Sequence, residues 1–356
     1  MTICYGWLEK LVTRLHKSNI TLLECHASKG RQRAYSVSSE DWSRLAVYLH
    51  EQQLRFAGLW VDYDDEQFRV FACVEKHGDH LLLHTQLPAS QRDIKSWSLI
   101  YPAANGFERH AADLFGLSFL DSPDQRRWVR HAAWPASVFP LQTQNVDQHF
   151  VADAPPDADF PFHRIDGDAV YEIPVGPVHA GIIEPGHFRF HAMGETVLSL
   201  ELRLGYVHKG IEKLAQGADT EKLLRLAGRV SGDSTVAHAW AAAKAIESAS
   251  ETDVPERALL LRALLCERER VANHLGDIGA VCNDVGFSFA HSQFSRLREQ
   301  WLRLNAQWCG HRLLMDQIMV GGVACNIDAN ISTAMQHDGQ HLRTELATLT
   351  KLLRDN

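Results

Sequence analysis

Ile173-Pro-Val-Gly-Pro-Val-His179-Ala-Gly-Ile-Ile-Glu184-Pro-Gly-His187-Phe-Arg-Phe190 is the stretch on which the reading of this chain turns. Gly194-Glu195 and then Gly205-Tyr-Val-His208-Lys-Gly-Ile-Glu212-Lys213 follow it. Two histidines and a glutamate sit on a Gly/Pro-rich loop whose backbone can approach a ligand closely. A carboxylate held beside imidazoles can pass protons at neutral pH. The same residues could equally be two hydrogen-bonded histidines bracing a β turn, and spacing alone leaves both readings open. Around the loop the pattern is strand, turn, strand. Met193-Gly-Glu195 supplies the turn between apolar runs at 188–191 and 197–202.

Beyond Gly205 the pattern becomes helical. Helices are predicted at 223–250, at 255–284, which opens on Pro255, and at 294–319. Long helices joined by short loops point to a bundle. Residues 131–168, with Pro135, Pro140, Pro155, Pro156 and Pro161, have linker composition and suggest a domain boundary. Ahead of them lies an α/β pattern. A helix is predicted at 42–55, strands at 56–62, 68–75 and 80–86, and a second helix from near Ser96. The expected fold is α+β: a small α/β domain at 1–130, a linker at 131–168, then a β-hairpin region and long-helix bundle at 169–356.

Composition narrows the function classes. A net charge of −8 over 356 residues argues against nucleic acid as the main partner. No apolar run is long enough to span a bilayer. Glu9, Lys10 and Arg14 fall where a signal peptide needs unbroken apolar sequence, so a cytoplasmic protein is expected. Seven cysteines without a Cys-x-x-Cys pair exclude a disulfide framework and read as small, inert core residues. Twenty histidines, clustered after residue 160, suggest proton handling or metal binding for a few of them.

The 173–213 stretch resembles the large subunit of energy-converting nickel–iron hydrogenases, of the formate hydrogenlyase and hydrogenase-4 type. It also resembles the related D subunit of respiratory complex I. Arg229-Val-Ser231-Gly-Asp233-Ser234-Thr-Val-Ala-His238, up to Glu247, resembles the loop and helix that carry the first nickel-ligand cysteine pair. Val254-Pro-Glu-Arg257 and Glu267-Arg-Glu-Arg270-Val-Ala-Asn-His274 resemble the next helix, and Gly321-Gly322-Val323 a shared glycine turn. Earlier, Glu108-Arg-His-Ala-Ala-Asp113-Leu-Phe-Gly116 with Pro123-Asp124-Gln-Arg126-Arg127 resembles the C subunit of complex I. The order is that of a C-and-D fusion. Within it Arg126, Arg127 and Arg130 are expected at an interface with a neighbouring subunit.

The resemblance carries specific expectations. Hydrogenases hold nickel on two Cys-x-x-Cys pairs, but both first-pair positions here are serine, Ser231 and Ser234. A neutral hydroxyl is a poor substitute for thiolate, and a second pair would lie past Asn356, so no nickel is expected. Complex I offers the precedent of a metal-free cavity that receives a quinone headgroup on a histidine and a tyrosine. His187 falls at that histidine and Gly232 at the tyrosine. Glu184 falls at the hydrogenase proton-transfer glutamate. Glu184 and His187 are therefore the expected catalytic residues. His179, His187, Ser231, Asp233, Ser234 and His238 are the expected cavity residues. Asp233 is also expected to cap the following helix, and His208 and His238 to be buried, satisfied histidines.

The implied function is a hydrogenase-like subunit of a membrane-associated oxidoreductase related to complex I. It would form a quinone-type acceptor cavity and couple electron transfer to ion translocation. No cofactor is expected on this chain. An iron–sulfur cluster is expected in a small partner subunit, beside membrane ion-translocating subunits, which places the chain peripherally on the cytoplasmic face of the inner membrane. The complex I label, NADH-quinone oxidoreductase, fits the family, although no Gly-x-Gly-x-x-Gly fingerprint for NAD follows a strand. The alternatives are a non-catalytic scaffold linking the iron–sulfur subunit to a membrane transporter and, with unusual ligands, an active hydrogenase.

Overall fold

A computed structural model describes residues 6–25, 33–142, 160–179 and 183–355. The chain divides into two compact units, Met1–His208 and Lys209–Asn356. The architecture is α+β, as expected.

The first unit opens with α1 (Gly6–Lys17), β1 (Leu23–Cys25), β2 (Arg33–Ser36) and α2 (Trp42–Glu51). Three ten-residue strands follow, β3 (Arg55–Asp64), β4 (Gln67–Lys76) and β5 (Asp79–Pro88). The sheet order is β1-β2-β5-β4-β3, antiparallel except where β2 meets β5. Period-2 alternation sends Phe68, Val70, Ala72, Val74, Leu81, Leu83 and Leu87 into one core. Trp42, Leu45 and Leu49 of α2 pack in the same core. Trp97 donates its indole N–H to the Trp42 carbonyl at 3.0 Å and packs on that ring with centroids 4.7 Å apart.

Helix α2 stops earlier than its apolar spacing suggests. The Gln52 N–H returns to the Tyr48 carbonyl, Gln53 turns to φ +61°, and the chain leaves directly into β3. The helix expected from Ser96 begins only at Ala104. The reason is Glu108: its buried carboxylate accepts from the Ser96 and Ser98 hydroxyls and from the Trp97 N–H. These bonds hold 96–98 in a turn, after β6 (Asp93–Lys95) and before α3 (Ala104–Phe115) and β7 (Ser118–Leu120). Burial, outweighing those donors, pushes the Glu108 carboxyl up.

The two compact units divide at His208/Lys209, downstream of the linker expected at 131–168. Residues 131–142 pack rather than link: Leu141 joins the first core, and its N–H reaches the Leu114 carbonyl. Residues 143–159 lie outside the described ones. The sheet β8 (Val170–Val175), β9 (His187–Met193) and β10 (Thr196–Arg203) belongs to the first unit. Glu201 of β10, 7% exposed, accepts from Arg126 at 3.2 Å and from the His163 N–H at 3.0 Å.

The arginines expected at an interface are committed within the chain. Besides Glu201, Arg126 holds Asp124 at 2.7 Å. Arg127 donates to the His131 and Trp134 carbonyls, and Arg130 to the Pro135 carbonyl. Asp113 accepts three successive N–H groups, from Trp128, Val129 and Arg130. A carboxylate that gathers three backbone donors shapes a loop.

The second unit is helical: α4 (Ile211–Ala215), α5 (Thr220–Ala227), α6 (Thr235–Ala249), α7 (Glu256–Asp284), α8 (Ser288–Cys309) and α9 (Ala329–Asp355). The single helix expected at 223–250 is two, broken at 228–234. The helix expected at 294–319 starts at Ser288 and ends at Cys309, where Gly310 adopts φ +81°. A short hairpin follows, β11 (Ile318–Met319) and β12 (Gly322–Val323). It is fastened by a buried ion pair. Arg262, fully buried, grips Glu247 with two bonds of 2.6 and 3.1 Å and donates to the Met319 and Gly322 carbonyls. The Gly321 N–H returns to Glu247 at 2.8 Å. Burial opposes ionisation of Glu247, but Arg262 and that N–H outweigh it and hold the carboxyl below its usual range.

Candidate functional site

The expected site residues fall in both units. His179, Glu184 and His187 belong to the first; Ser231, Asp233, Ser234 and His238 belong to the second. Each set is described by itself.

In the first unit, β8 leaves the sheet at Gly176 and β9 re-enters at His187. The crossing is tight. Gly176 has φ +87°, and a Cβ there would sit 2.2 Å from the Gly186 carbonyl oxygen, so only glycine fits. The Gly186 N–H closes the turn onto the Pro177 carbonyl at 2.9 Å. The half-buried His187 ring has Nδ1 3.4 Å from the Gly176 carbonyl and packs 5.3 Å from Phe162. Its Nε2 is buried without a hydrogen-bond partner among the described residues. His179, also half-buried, lies edge-on to Phe188 at 5.4 Å. Glu184 is exposed. The turn thus holds two imidazoles against aromatic rings, with the His187 Nε2 uncommitted.

Strand alternation carries His187, Arg189 and His191 onto one face of the sheet. Arg189 lies 3.9 Å over the Phe162 ring and 3.5 Å from Glu172. His191 Nε2 lies 3.3 Å from Glu172, close enough for an ion pair but outside hydrogen-bond geometry. Glu172, Arg189 and His191, with His163 and Arg164, line a cavity of about 570 Å³. None of these five was singled out from the sequence. The only available signal was the odd-numbered run of polar residues along β9.

In the second unit, the 228–234 break between α5 and α6 is a closed hydrogen-bond system. Ser231 and Ser234 both donate to Asp233 Oδ1, the latter at 3.5 Å. The expected capping by Asp233 does not occur. The first N–H groups of α6, on Val236 and Ala237, go to Glu269 of α7 at 2.6 and 3.1 Å. Asn273, one turn further along α7, donates to the Asp233 carbonyl at 2.7 Å. Burial pushes the Glu269 carboxyl up, against the pull of both N–H groups. Sequence reasoning missed Glu269 and Asn273, although their i, i+4 spacing places them on one helix face.

His238 accepts or donates at Nδ1 with the Ser234 carbonyl, 2.9 Å away, and is exposed. His208 is exposed as well, beside His110 at 5.9 Å. Neither is the buried histidine expected, because both stand on outward faces of their segments. The loop does not fit a thiolate-held nickel. Its two ligand positions carry hydroxyls already turned to one carboxylate, a donor set that suits neither a soft metal nor a square-planar one.

Comparison with known proteins matches two stretches of the chain to two families. Residues 35–148 match the respiratory-chain NADH dehydrogenase 30 kDa subunit family, and residues 209–276 match the nickel-dependent hydrogenase family. Hydrogenase-4 component G of Escherichia coli is 34% identical over 69% of this chain and 45% of its own length. Formate hydrogenlyase subunit 5 of Escherichia coli is 32% identical over 77% and 48%. The fused C/D protein of the NADH-quinone oxidoreductase of Bacteroides fragilis is 29% identical over 67% and 48%. The chain spans about half the length of these curated relatives. Among solved structures, the membrane-bound sulfane sulfur reductase, an archaeal respiratory membrane complex, matches 55% of this chain and 52% of that one. Its identity is 25% and its TM-score 0.50. No described helix is long and apolar enough to cross a membrane.

Proposed function

We propose that this chain, which joins a complex I 30 kDa domain to a nickel-hydrogenase region as its relatives do, is an acceptor-binding subunit of a membrane-associated oxidoreductase. The His187 turn receives a quinone-type headgroup, and the Ser231–Ser234 loop holds no nickel. One observation carries this reading: the buried His187 Nε2 has no hydrogen-bond partner among the described residues, at the end of a turn where Gly176 leaves no room for a Cβ. A buried polar nitrogen without a partner costs about 1–3 kcal/mol, a cost that a ligand carbonyl accepting its proton removes.

The chemistry asked of this chain is small. An iron–sulfur partner subunit delivers two electrons, and the headgroup takes up two protons to become a quinol. His187, protonated at Nε2, donates to one carbonyl. Glu184, exposed beside it in sequence, exchanges protons with solvent. Membrane subunits use the resulting charge movement to translocate ions, so the chain works peripherally on the cytoplasmic face of the membrane.

The test is made in the intact complex. His187→Asn is expected to abolish acceptor reduction while assembly persists, and Glu184→Gln to slow proton-coupled turnover. Unchanged electron transfer and ion pumping in both variants would make the chain a scaffold instead. Stoichiometric nickel with hydrogen evolution would overturn the metal-free reading.

A further inference from the structure

The cavity lined by Glu172, Arg189 and His191 serves no step of the reaction above, yet its buried groups are incomplete. His191 is 2% exposed, and neither ring nitrogen has a hydrogen-bond partner among the described residues. A neutral imidazole carries one N–H and one acceptor nitrogen, so a buried donor goes unused in either tautomer. Arg189, two residues earlier on β9, has a buried Nε that also lacks a hydrogen-bond partner among the described residues. Buried polar atoms are nearly always paired, and three unpaired ones around one cavity point to a ligand that completes them.

The charges around the cavity select the kind of ligand. Glu172 Oε1 lies 3.5 Å from Arg189 Nε and Oε2 lies 3.3 Å from His191 Nε2, and neither contact reaches hydrogen-bond geometry. The carboxylate therefore stands where an oxyanion would, without satisfying the donors. Its side chain is 40% exposed, so it can turn to solvent. The Phe162 ring lies 3.9 Å from the Arg189 guanidinium carbon and supports that group from one side. Arg164, on the same cavity, is 84% exposed and 3.2 Å from Asp166, a surface pair that contributes little. A metal ion fits less well. No third carboxylate, histidine or cysteine among the described residues joins Glu172 and His191 at ligand distance. At about 570 Å³ the cavity suits a small organic molecule rather than a bare ion.

We propose that this cavity binds a small organic oxyanion, a carboxylate or phosphate compound, whose charged group takes the place of the Glu172 side chain. The oxyanion accepts from the Arg189 guanidinium, whose planar fork suits two oxygens at once, and from the His191 N–H. Arg164 adds a second positive charge. Glu172 is a built-in competitor that neutralises Arg189 until the ligand arrives. Binding here does not depend on what His187 receives.

The experiment titrates the full chain with citrate and, separately, with inorganic phosphate by calorimetry at constant ionic strength, with chloride as the control ion. Saturable binding of one oxyanion per chain is expected, and the tighter of the two probes identifies the group the cavity takes. Arg189→Gln should weaken binding about tenfold or more, as loss of a charge-assisted hydrogen bond does. Glu172→Gln should tighten it about twofold to fivefold, because the competing carboxylate is gone. In the wild type, the bound probe should shield Arg189 from phenylglyoxal while the exposed Arg354 stays reactive, a readout that stands even where a variant does not fold. Binding no stronger than that of chloride would overturn the proposal. So would unchanged affinity in Arg189→Gln, binding that Glu172→Gln fails to tighten, or an Arg189 that the probe leaves unshielded.

Discussion

The His187 turn and the Ser231–Ser234 loop carry the same family resemblance but treat their polar groups in opposite ways. At the turn the Gly176 and Gly186 backbones approach closely, and the His187 Nε2 has no hydrogen-bond partner among the described residues. In the loop both serines bond to one aspartate, while Glu269 and Asn273 hold the ends from α7. Two hydroxyls in place of ligand thiols therefore leave no uncommitted donor set there. Their hydrogen bonds build the loop, whereas the His187 Nε2 on the turn has no partner among the described residues.

The loop's surroundings give the largest expected effect. Arg262→Met strands the buried Glu247 carboxylate and should cost about 3–5 kcal/mol in urea unfolding. A loss below ~1 kcal/mol would mean that the pair does not anchor the hairpin. Next comes the turn. Gly176→Ala meets the Gly186 oxygen and a left-handed φ, so about 1–3 kcal/mol of strain is expected before any clash. A variant with wild-type stability and acceptor binding would show the turn to be more pliant than its geometry implies.

Glu269→Ala should cost about 1–3 kcal/mol by leaving the buried Val236 N–H and the part-buried Ala237 N–H unpaired, read as faster hydrogen exchange at both. The pH dependence distinguishes the two buried carboxylates of this unit. The folded-state pKa of Glu269 is raised, so its contribution is fully present below the unfolded value of about 4.3 and is lost as pH rises through the folded pKa. That of Glu247 is depressed, so its contribution is present above about 4.3 and is lost as pH falls through the folded pKa. Difference curves of wild type against Glu269→Gln and Glu247→Gln should therefore slope in opposite directions, and parallel slopes would refute the assignment. The smallest change in stability is expected for His187→Asn, within about 1 kcal/mol, with acceptor binding lost. That combination would set the open turn apart from the committed loop most sharply.

Legibility differed from element to element for physical reasons. Alternation along 56–62, 68–75 and 80–86 found the long strands, because one face of each lies in a dry core. The apolar spacing of 223–250 hid a break, because what starts α6 is a carboxylate on another helix. The arginines of the 126–130 stretch read as a surface for partners, yet each is spent on carboxylates or carbonyls of its own unit. Asp233 was a sound local cap, but Glu269 reached the same N–H groups from α7. His208 and His238 read as interior and lie exposed.

By itself the sequence determined the α+β class and the family resemblance, with Ser231 and Ser234 where that resemblance implies ligand cysteines, since local periodicity suffices for the first and residue identity for the second. Only the tertiary structure decided that the His187 Nε2 has no hydrogen-bond partner among the described residues and that Glu269 caps α6. Each of those depends on which segments distant in sequence come within hydrogen-bond reach, and no local pattern records that.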